Sequence, residues 1–244
     1  MLILGGTSEA AALAEALASQ DDLHVINSLA GRTRSPRLLP GEVRIGGFGG
    51  VRGLIAFLED RGINAVVDAT HPFATAMSAH ADMACRHFGI PRLHLTRPSW
   101  PRHPDDRWIE VADTKAAASS LPRVGRRVFL TSGHQDLEAF AELDDVWFLV
   151  RTVEPIRSTK PRHFHWLQAK GPFTEADELA LFIDHRIDVL VTKASGGKAT
   201  YPKVAAARTL HLPVIMIKRP RPPNGPSTED IPTAVTWLRR QVTG

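Results

Sequence analysis

The chain has 244 residues, 43% of them hydrophobic and 23% charged, so it can bury one large core or two smaller ones. This composition excludes a disordered chain, and no apolar run approaches the roughly 20 residues that a membrane span needs. The single cysteine, Cys85, excludes an internal disulfide framework and a multi-cysteine metal or iron–sulfur site. No signal peptide is visible at the start, which predicts a cytoplasmic protein.

The formal net charge of +4 is unevenly distributed along the chain. The first 97 residues carry nine arginines, no lysine and nine acidic residues, so the whole surplus lies in residues 98–244. A basic half favours an anionic partner, either an acidic small molecule or a nucleic acid. Arg-rich codon usage would give the same composition, so charge alone does not separate these interpretations.

The first part of the chain alternates strand and helix patterns. Strands are predicted at residues 1–4, 23–29, 41–45, 65–68 and 92–95, and helices at residues 8–19, 51–61 and 74–88. This alternation is typical of a parallel sheet with helices on both faces. Pro98, Pro101 and Pro104 then predict a domain boundary near residue 100.

The alternation resumes after this boundary. Strands are predicted at residues 108–111, 127–130, 147–153, 165–168, 189–192 and 214–218, and helices at 114–120, 135–141, 174–186, 202–210 and 229–242, the last with Ser227 as its cap. We therefore predict an α/β protein of two Rossmann-like domains, residues 1–97 and 98–244. Each has a mainly parallel sheet flanked by helices, with the ligand cleft between the two domains.

The turn after the first strand favours a dinucleotide site. Gly5 and Gly6 let the backbone turn tightly, and the helix that follows presents unpaired amides and a favourable dipole to a phosphate. The sequence lacks the GxGxxG spacing, and many such turns carry glycine for steric reasons alone. Its position at the first strand of a Rossmann-like half favours the binding interpretation.

The end of the second strand indicates which dinucleotide is bound. NAD-binding folds usually place an acidic residue there to bind the ribose 2′-hydroxyl. This chain has Ser28, Arg32 and Arg34 instead. A guanidinium matches a 2′-phosphate in charge and geometry, which favours NADPH, with a solvated basic loop as the alternative.

Two further turns of the first part are candidates for ligand contact. Residues 46–50, GGFGG, indicate close approach of backbone to a ligand, or a mobile hinge. Thr70 and His71 follow a buried strand, at the edge of the sheet where ligands bind. His71 could donate a proton near neutral pH. In the alternative interpretation, Thr70 caps the next helix and His71 packs locally.

The second part carries candidates for anion binding. Residues 193–198, KASGGK, place small and hydroxyl residues between two lysines after a strand, which is typical of an anion nest. Ser132 and Gly133 form a similar strand–glycine turn, and Arg151 adds positive charge at a strand end. Taken singly, such charges are more often solvated than ligand-binding.

Several chemistries are disfavoured by the sequence. Tyr201 and Lys203 do not form a Tyr-x-x-x-Lys pair, and HExxH and GxSxG motifs are absent. His163 and His165 lack a carboxylate or thiol at helpful spacing, so we expect no metal site. Cys85 lies in an Ala-rich helical segment, where a packed thiol is expected.

The motifs LILGGTSEA, SLAGRT, GGFGG, DATHPFA, TSGHQDL, GPF and VTKASGG occur in this order, and the chain resembles the precorrin-6A reductase family of cobalamin biosynthesis. The resemblance extends to about residue 220. It implies an oxidoreductase that reduces one double bond of the precorrin-6A macrocycle with NADPH, giving precorrin-6B. It also implies a tetrapyrrole partner, and transient contact with neighbouring enzymes of the pathway. Neither nucleic acid nor a membrane is expected as a partner.

The resemblance and the strand order together give the expected site residues. The cofactor contacts are expected at Gly5, Gly6, Thr7, Ser8, Ser28, Arg32, Gly47, Phe48, Thr70 and His71. The substrate contacts are expected at Ser132, Gly133, Arg151, Lys193, Ser195, Gly196, Gly197 and Lys198. His71 is the first candidate for the proton donor, with solvent as its competitor.

Two other functions stay open at this point. One is an NADPH-dependent reductase of another polyanionic small molecule, and the other is a non-catalytic dinucleotide-sensing module. Two complete α/β halves with opposed glycine turns favour catalysis over sensing. Nucleic-acid binding is disfavoured because the basic residues are scattered, without an arginine-rich run interleaved with aromatic residues.

Overall fold

The computed structural model describes residues 1–20, 22–31, 39–156 and 161–242. The chain divides into two compact units: Met1–Pro98 together with Pro220–Gly244, and Ser99–Arg219. Each unit contains a six-stranded sheet in which every strand pair is parallel. The predicted α/β class with two parallel sheets is therefore confirmed.

The helices and strands follow the predicted alternation. The first unit begins with β1 (Leu2–Leu4), α1 (Ser8–Leu17), β2 (Ile26–Leu29), β3 (Glu42–Ile45), α2 (Val51–Asp60), β4 (Val66–Asp68), α3 (Thr75–Phe88) and β5 (Arg92–Leu95). The second unit contains β6 (Trp108–Val111), α4 (Thr114–Ser120), β7 (Arg127–Leu130), β8 (Trp147–Thr152), β9 (Phe164–Gln168), α5 (Glu175–Asp184), β10 (Val189–Lys193), α6 (Pro202–Thr209) and β11 (Val214–Ile217). The chain then adds β12 (Ser227–Thr228) and α7 (Ile231–Val242) to the first unit.

The first sheet has the strand order β12-β5-β4-β1-β2-β3. Both faces of its central strand are buried, because successive side chains of β1 point to opposite faces. Ile3 packs with Leu13 of α1 and Leu238 of α7 on one face. Leu4 packs with Leu54 of α2 on the other. Because both faces of β1 are buried, all of its side chains are apolar, and the strand appears in the sequence as a continuous apolar run.

The predicted domain division is wrong for the last 25 residues, which belong to the first unit. Residues 220–244 were assigned to the second domain, but β12 pairs with β5 and α7 packs against α1, both in the first unit. The amide of Thr96 donates to the Thr228 carbonyl at 3.0 Å. The physical reason is that β5 would otherwise be an unprotected edge strand and one face of the sheet would lack part of its cover.

The start of the last helix also differs from the prediction. Ser227 lies in β12 and does not cap α7. Asp230 has this role: its Oδ2 accepts the amide of Thr233 at 2.8 Å. Ser227 and Thr228 are held in an extended conformation by pairing with β5, so α7 begins only after β12, at Ile231.

The second sheet has the strand order β6-β11-β10-β7-β8-β9. Phe129 and Leu190, on its two central strands, pack with Phe182 of α5 and Val204 of α6. The segment predicted as a helix at residues 135–141 is a 3-10 helix, His134–Phe140, whose Leu137 and Phe140 are buried. Within the described residues, no helix combines the length and apolar character that crossing a membrane requires.

The packing of α7 on the first unit leads to a stability prediction. Leu238 is fully buried, so Leu238→Ala should lower the free energy of unfolding of the first unit by about 2–5 kcal/mol. Hydrogen exchange of the β1 and β4 amides should accelerate, while exchange of β7 and β10 should not. Thr236→Ala, on the exposed side of the same helix, is the control. Faster exchange in β10 with β1 unchanged would contradict the assignment of α7 to the first unit.

Candidate active site

The first candidate site lies where β1 and β4 run side by side. From β1 the chain continues through β2 and β3 on one side, whereas from β4 it continues to β5 on the other. Such a reversal of strand order leaves a crevice at the carboxyl ends of the two strands. The turns that meet at this edge are residues 5–7 and 69–73, because Leu4 pairs with Asp68.

Thr7 links these two turns. Its hydroxyl donates to the Ala69 carbonyl at 2.7 Å and accepts the Ala10 amide at 3.1 Å, so it caps α1. Ser8, the first residue of the helix, is exposed, and its hydroxyl donates to Glu9. The predicted cofactor residues 5–8 therefore form one continuous turn at the amino end of α1.

The two glycines of this turn serve different purposes. A Cβ on Gly5 would lie 3.3 Å from the Ala10 side chain, which is closer than most Cβ contacts in proteins, and 3.5 Å from the Ser28 carbonyl, which is ordinary contact. Gly6 has a φ of 107°, which side chains rarely adopt, and a Cβ there would meet open space. Gly5 thus permits close packing of the turn, and Gly6 leaves its outer surface free for a ligand.

A buried polar cluster holds the second turn. Thr70 donates its hydroxyl to Asp68 Oδ1 at 2.7 Å and its amide to the same oxygen at 3.2 Å. His94 Nδ1 lies 3.4 Å from Asp68 Oδ2, and Ser78 Oγ lies 3.4 Å from the Thr70 hydroxyl. Burial alone would raise the pKa of Asp68, but the contacts with His94, Ser78 and Thr70 outweigh it and lower the pKa. Asp68 is therefore held as a carboxylate.

This cluster decides between the two interpretations of Thr70. The helix that follows begins at Thr75, and its N-cap residue is Ala74, so Thr70 does not cap it. Thr70 is also buried, and its hydroxyl is engaged with Asp68. Any contact of this residue with a cofactor would accordingly come from its backbone.

His71 lies next to Thr70 but is exposed. Its Nδ1 accepts the amide of Phe73 at 3.3 Å, and the two rings are 5.8 Å apart. With Nδ1 acting as an acceptor, the neutral ring carries its proton on Nε2. His71 therefore lies at the surface of the first candidate site, with its Nδ1 bound to the backbone of its own turn.

The glycine-rich turn at residues 46–50 is held against the end of β2 by Arg44. Its guanidinium donates to the Ser28 hydroxyl at 3.1 Å, to the Gly46 carbonyl at 2.7 Å and to the Gly47 carbonyl at 2.9 Å. It also lies 3.9 Å from the centre of the Phe48 ring. Three predicted cofactor residues, Ser28, Gly47 and Phe48, are therefore joined by one arginine that the sequence analysis did not select.

A glycine in the next helix completes this arrangement. A Cβ on Gly53 would overlap the Phe48 carbonyl oxygen, so the turn lies directly on the backbone of α2. This contact explains the glycine after the GGFGG motif. Arg32 and Arg34, predicted to bind a 2′-phosphate, lie outside the described residues.

The second candidate site lies where β7 and β10 run side by side. The chain proceeds from β7 to β8 and β9 on one side and from β10 to β11 on the other, the same reversal as in the first sheet. Ser132 and Gly133 follow β7, and residues 194–198 follow β10. The predicted substrate residues of both turns therefore share one edge of the sheet.

The predicted residues at this edge differ in their exposure and partners. Ser132 is buried, and its hydroxyl has no hydrogen-bond partner among the described residues. Lys193 Nζ lies 2.6 Å from Asp136 Oδ2, so its charge is balanced within the protein. Lys198 is exposed and forms no ion pair with any residue that the structure describes. Lys198 is therefore the better placed of the two lysines for an external anion.

Arg151 is buried and does not face solvent. Its guanidinium donates to Glu178 Oε1 at 2.7 Å and lies 3.7 Å from the centre of the Phe173 ring. Phe173 follows the cis Gly171–Pro172 peptide, and its amide donates to the Ala199 carbonyl. This places Arg151 as an internal support of the loop after β10, which the sequence alone did not indicate.

The structure thus groups the described candidates into two sets, one in each unit. The sequence missed Arg44, Asp68 and His94 in the first unit. In the second unit it missed three residues that donate hydrogen bonds to carbonyls of residues 194–200, namely Trp100, Lys203 and Arg219. His94, Trp100 and Arg219 contact groups that are distant in sequence, whereas Arg44, Asp68 and Lys203 contact groups within a few residues of themselves. For Arg44 and Asp68, the only local signal was their position beside a glycine-rich turn and the THPF segment.

Comparison with known proteins gives a consistent result. The family model described as precorrin-6x reductase CbiJ/CobK matches residues 1–239. The chain is 49% identical over 239 residues to the precorrin-6A reductase of Rhodococcus erythropolis, covering 98% of this chain and 96% of the relative. It is 45% identical over 240 residues to the precorrin-6A reductase of Mycobacterium tuberculosis, with the same coverage. A solved structure, CobK precorrin-6A reductase, matches with a TM-score of 0.91 at 40% identity, covering 98% of this chain and 96% of that one.

Proposed function

Because the chain belongs to the precorrin-6x reductase CbiJ/CobK family, we infer that it reduces precorrin-6A in cobalamin biosynthesis. The reaction saturates one double bond of the macrocycle and gives precorrin-6B, so the protein is an oxidoreductase acting on a CH–CH group. The observation that carries this conclusion is similarity to reductases over nearly the whole chain, both units included. The expected resemblance and activity are therefore confirmed.

NADPH is the reductant that we propose. The turn at residues 5–7 fits a dinucleotide phosphate, because it combines a close-packed Gly5, an open surface at Gly6 and the amino end of α1. No acidic residue occurs between Ser28 and Arg34, so the chain lacks the carboxylate that binds the 2′-hydroxyl of NAD. Arg32 supplies the positive charge that a 2′-phosphate requires.

The remaining proposed cofactor contacts lie at the same edge of the first sheet, at the carboxyl ends of its strands. When bound, a reduced nicotinamide supplies the hydride. Gly47 and Phe48, held by Arg44, would bind the nucleotide beside β2. The carbonyl of Thr70, whose amide is engaged with Asp68, would bind it beside β4. The protein then contributes orientation of the reactants and exclusion of water.

The carboxylates of the tetrapyrrole are assigned to the second unit. Lys198 and the amides of Gly196 and Gly197 are the proposed contacts, together with Ser132, Gly133 and Ser195 at the same edge. Lys193 would take part through its pairing with Asp136, and Arg151 through its support of the loop. The positive surplus of residues 98–244 suits a substrate with several carboxylates.

His71 is the proposed proton donor. Hydride addition to one carbon of the double bond must be balanced by a proton on its neighbour. His71 is exposed at the crevice of the first unit, and its protonated imidazolium form is the one that would give up the proton. Its ordinary pKa lies close to neutral pH, which suits a general acid.

The choice of reductant is tested by Arg32→Ala. With precorrin-6A as substrate, the loss of absorbance of the reduced nicotinamide should show a KM for NADPH raised about tenfold or more, because a charge-assisted contact is lost. The KM for NADH should change little. Arg123→Ala, an exposed arginine of the second unit, is the matched control. An equal loss with both nucleotides would refute the 2′-phosphate assignment, and no oxidation of either by the wild type would refute the function.

The role of His71 is tested by His71→Ala. At saturating precorrin-6A and NADPH, kcat should fall about 10²-fold or more, since a positioned general acid typically contributes this much. His87→Ala, an exposed histidine of α3, should retain wild-type turnover. Turnover of His71→Ala near the wild-type rate would show that solvent supplies the proton.

A further inference from the structure

The loop after β10 is held by three donors that bind its carbonyl groups. Arg219 donates to the carbonyls of Ala194 at 2.6 Å and Ser195 at 3.1 Å. Trp100 Nε1 donates to the Gly197 carbonyl at 3.1 Å, and Lys203 Nζ donates to the Thr200 carbonyl at 2.8 Å. Four carbonyls of residues 194–200 are thus satisfied by side chains from outside the loop or from the helix that follows it.

The direction of these carbonyls fixes the direction of the neighbouring amides. In a trans peptide the N–H points opposite to the C=O of the same peptide plane. The amide of Gly196 therefore points away from Arg219, and the amide of Lys198 points away from Trp100. In the part of the chain that the structure describes, neither amide donates to another group. Neighbouring amides that are left without an internal acceptor can together form a site for an anion.

Lys203 is the most deeply buried of the three donors. Its exposed fraction is 3%, and its ammonium lies 5.1 Å from the centre of the Trp100 ring. Arg151 of β8 and Glu178 of α5 are the charged groups that face it, and these two are paired with each other. With Lys203 protonated, the cluster has one positive charge that no buried carboxylate balances. Burying an unbalanced ammonium costs folding free energy, so a functional role would explain why Lys203 lies beside this loop.

We propose that Lys203 is a positioning residue of the substrate site, which with Trp100 and Arg219 orients the amides of residues 196–198 to bind a carboxylate of the tetrapyrrole. This inference rests on the proposed function and adds to it the group of the substrate that the loop recognises. The buried ammonium does not touch the substrate. It holds the Thr200 carbonyl and adds a positive field beneath the carboxylate.

A dependence of substrate affinity on pH follows from this arrangement. Burial, reinforced by Arg151 and opposed by Glu178, lowers the pKa of Lys203 to about 7. A bound carboxylate stabilises the ammonium, so the complex keeps this proton to a higher pH than the free protein does. Affinity for the substrate should therefore be highest below about pH 7 and should fall as the pH rises through that value.

The test is equilibrium binding of precorrin-6A, without dinucleotide, from about pH 6 to about pH 8, followed by the visible absorbance of the tetrapyrrole. Lys203→Met should raise Kd about tenfold at the acid end and abolish the pH dependence. Trp100→Phe removes the donor to Gly197 and keeps an aromatic ring and Lys203, so it should raise Kd and retain the pH dependence. Lys115→Met, at an exposed site on α4, should match the wild type, and NADPH binding should be unchanged throughout.

Two results would overturn the inference. The first is an unchanged Kd and pH response in Lys203→Met, and the second is an equal weakening of NADPH and precorrin-6A binding. If Lys203→Met does not fold, Trp100→Phe decides alone, and a wild-type Kd in that variant would refute the inference. Wild-type protein that binds precorrin-6A without reducing it would refute the proposed function, while the comparison among variants would still decide the role of Lys203.

Discussion

The reversal of strand order in each parallel sheet is the constraint on which both candidate sites depend. Beside β1 in the first unit and beside β7 in the second, neighbouring strands send the chain in opposite directions. No helix can cover the carboxyl edge between them, so the turns at that edge are available to a ligand. The same topology provides the site that we propose for a dinucleotide in one unit and the site that we propose for an anionic substrate in the other. The chemistry of each site then depends on the side chains that support its turns.

Charged side chains, one of them buried and two of them partly buried, keep these turns in place. Asp68 holds the Thr70 turn, Arg44 holds the glycine-rich turn beside β2, and Arg219 holds the loop after β10. Each satisfies backbone or hydroxyl groups of its turn, and a polar group left unpaired away from water costs more than the net gain of a typical hydrogen bond. The ligand-facing groups of the turns are consequently fixed before a ligand arrives. Such preorganisation reduces the entropy that binding must overcome.

Local sequence patterns were sufficient for most of the helices and strands, although not for the short β12, and they did not show which elements pack together. Buried parallel strands appear as short apolar runs, and the turns after them carry glycine, so β1, β4 and β10 were predicted with their turns. Residues 220–244 were assigned to the wrong unit because a helix pattern does not reveal which sheet it covers. Lys203 and Arg219 were missed because the sequence does not show which carbonyl groups these two side chains bind. A lysine in an Ala-rich helix is normally solvated, and only the fold shows that this one is buried beneath a loop.

Which ligand binds to which unit can be measured directly by NMR, through the resonances of the glycine backbone amides. In protein labelled at glycine nitrogen, NADP⁺ should shift the amide resonances of Gly5, Gly6 and Gly47 and leave those of Gly196 and Gly197 in place. Precorrin-6A should shift Gly196 and Gly197. Displacement of the Gly196 and Gly197 resonances by NADP⁺, with those of Gly5 and Gly6 unchanged, would contradict the assignment of the dinucleotide to the first unit.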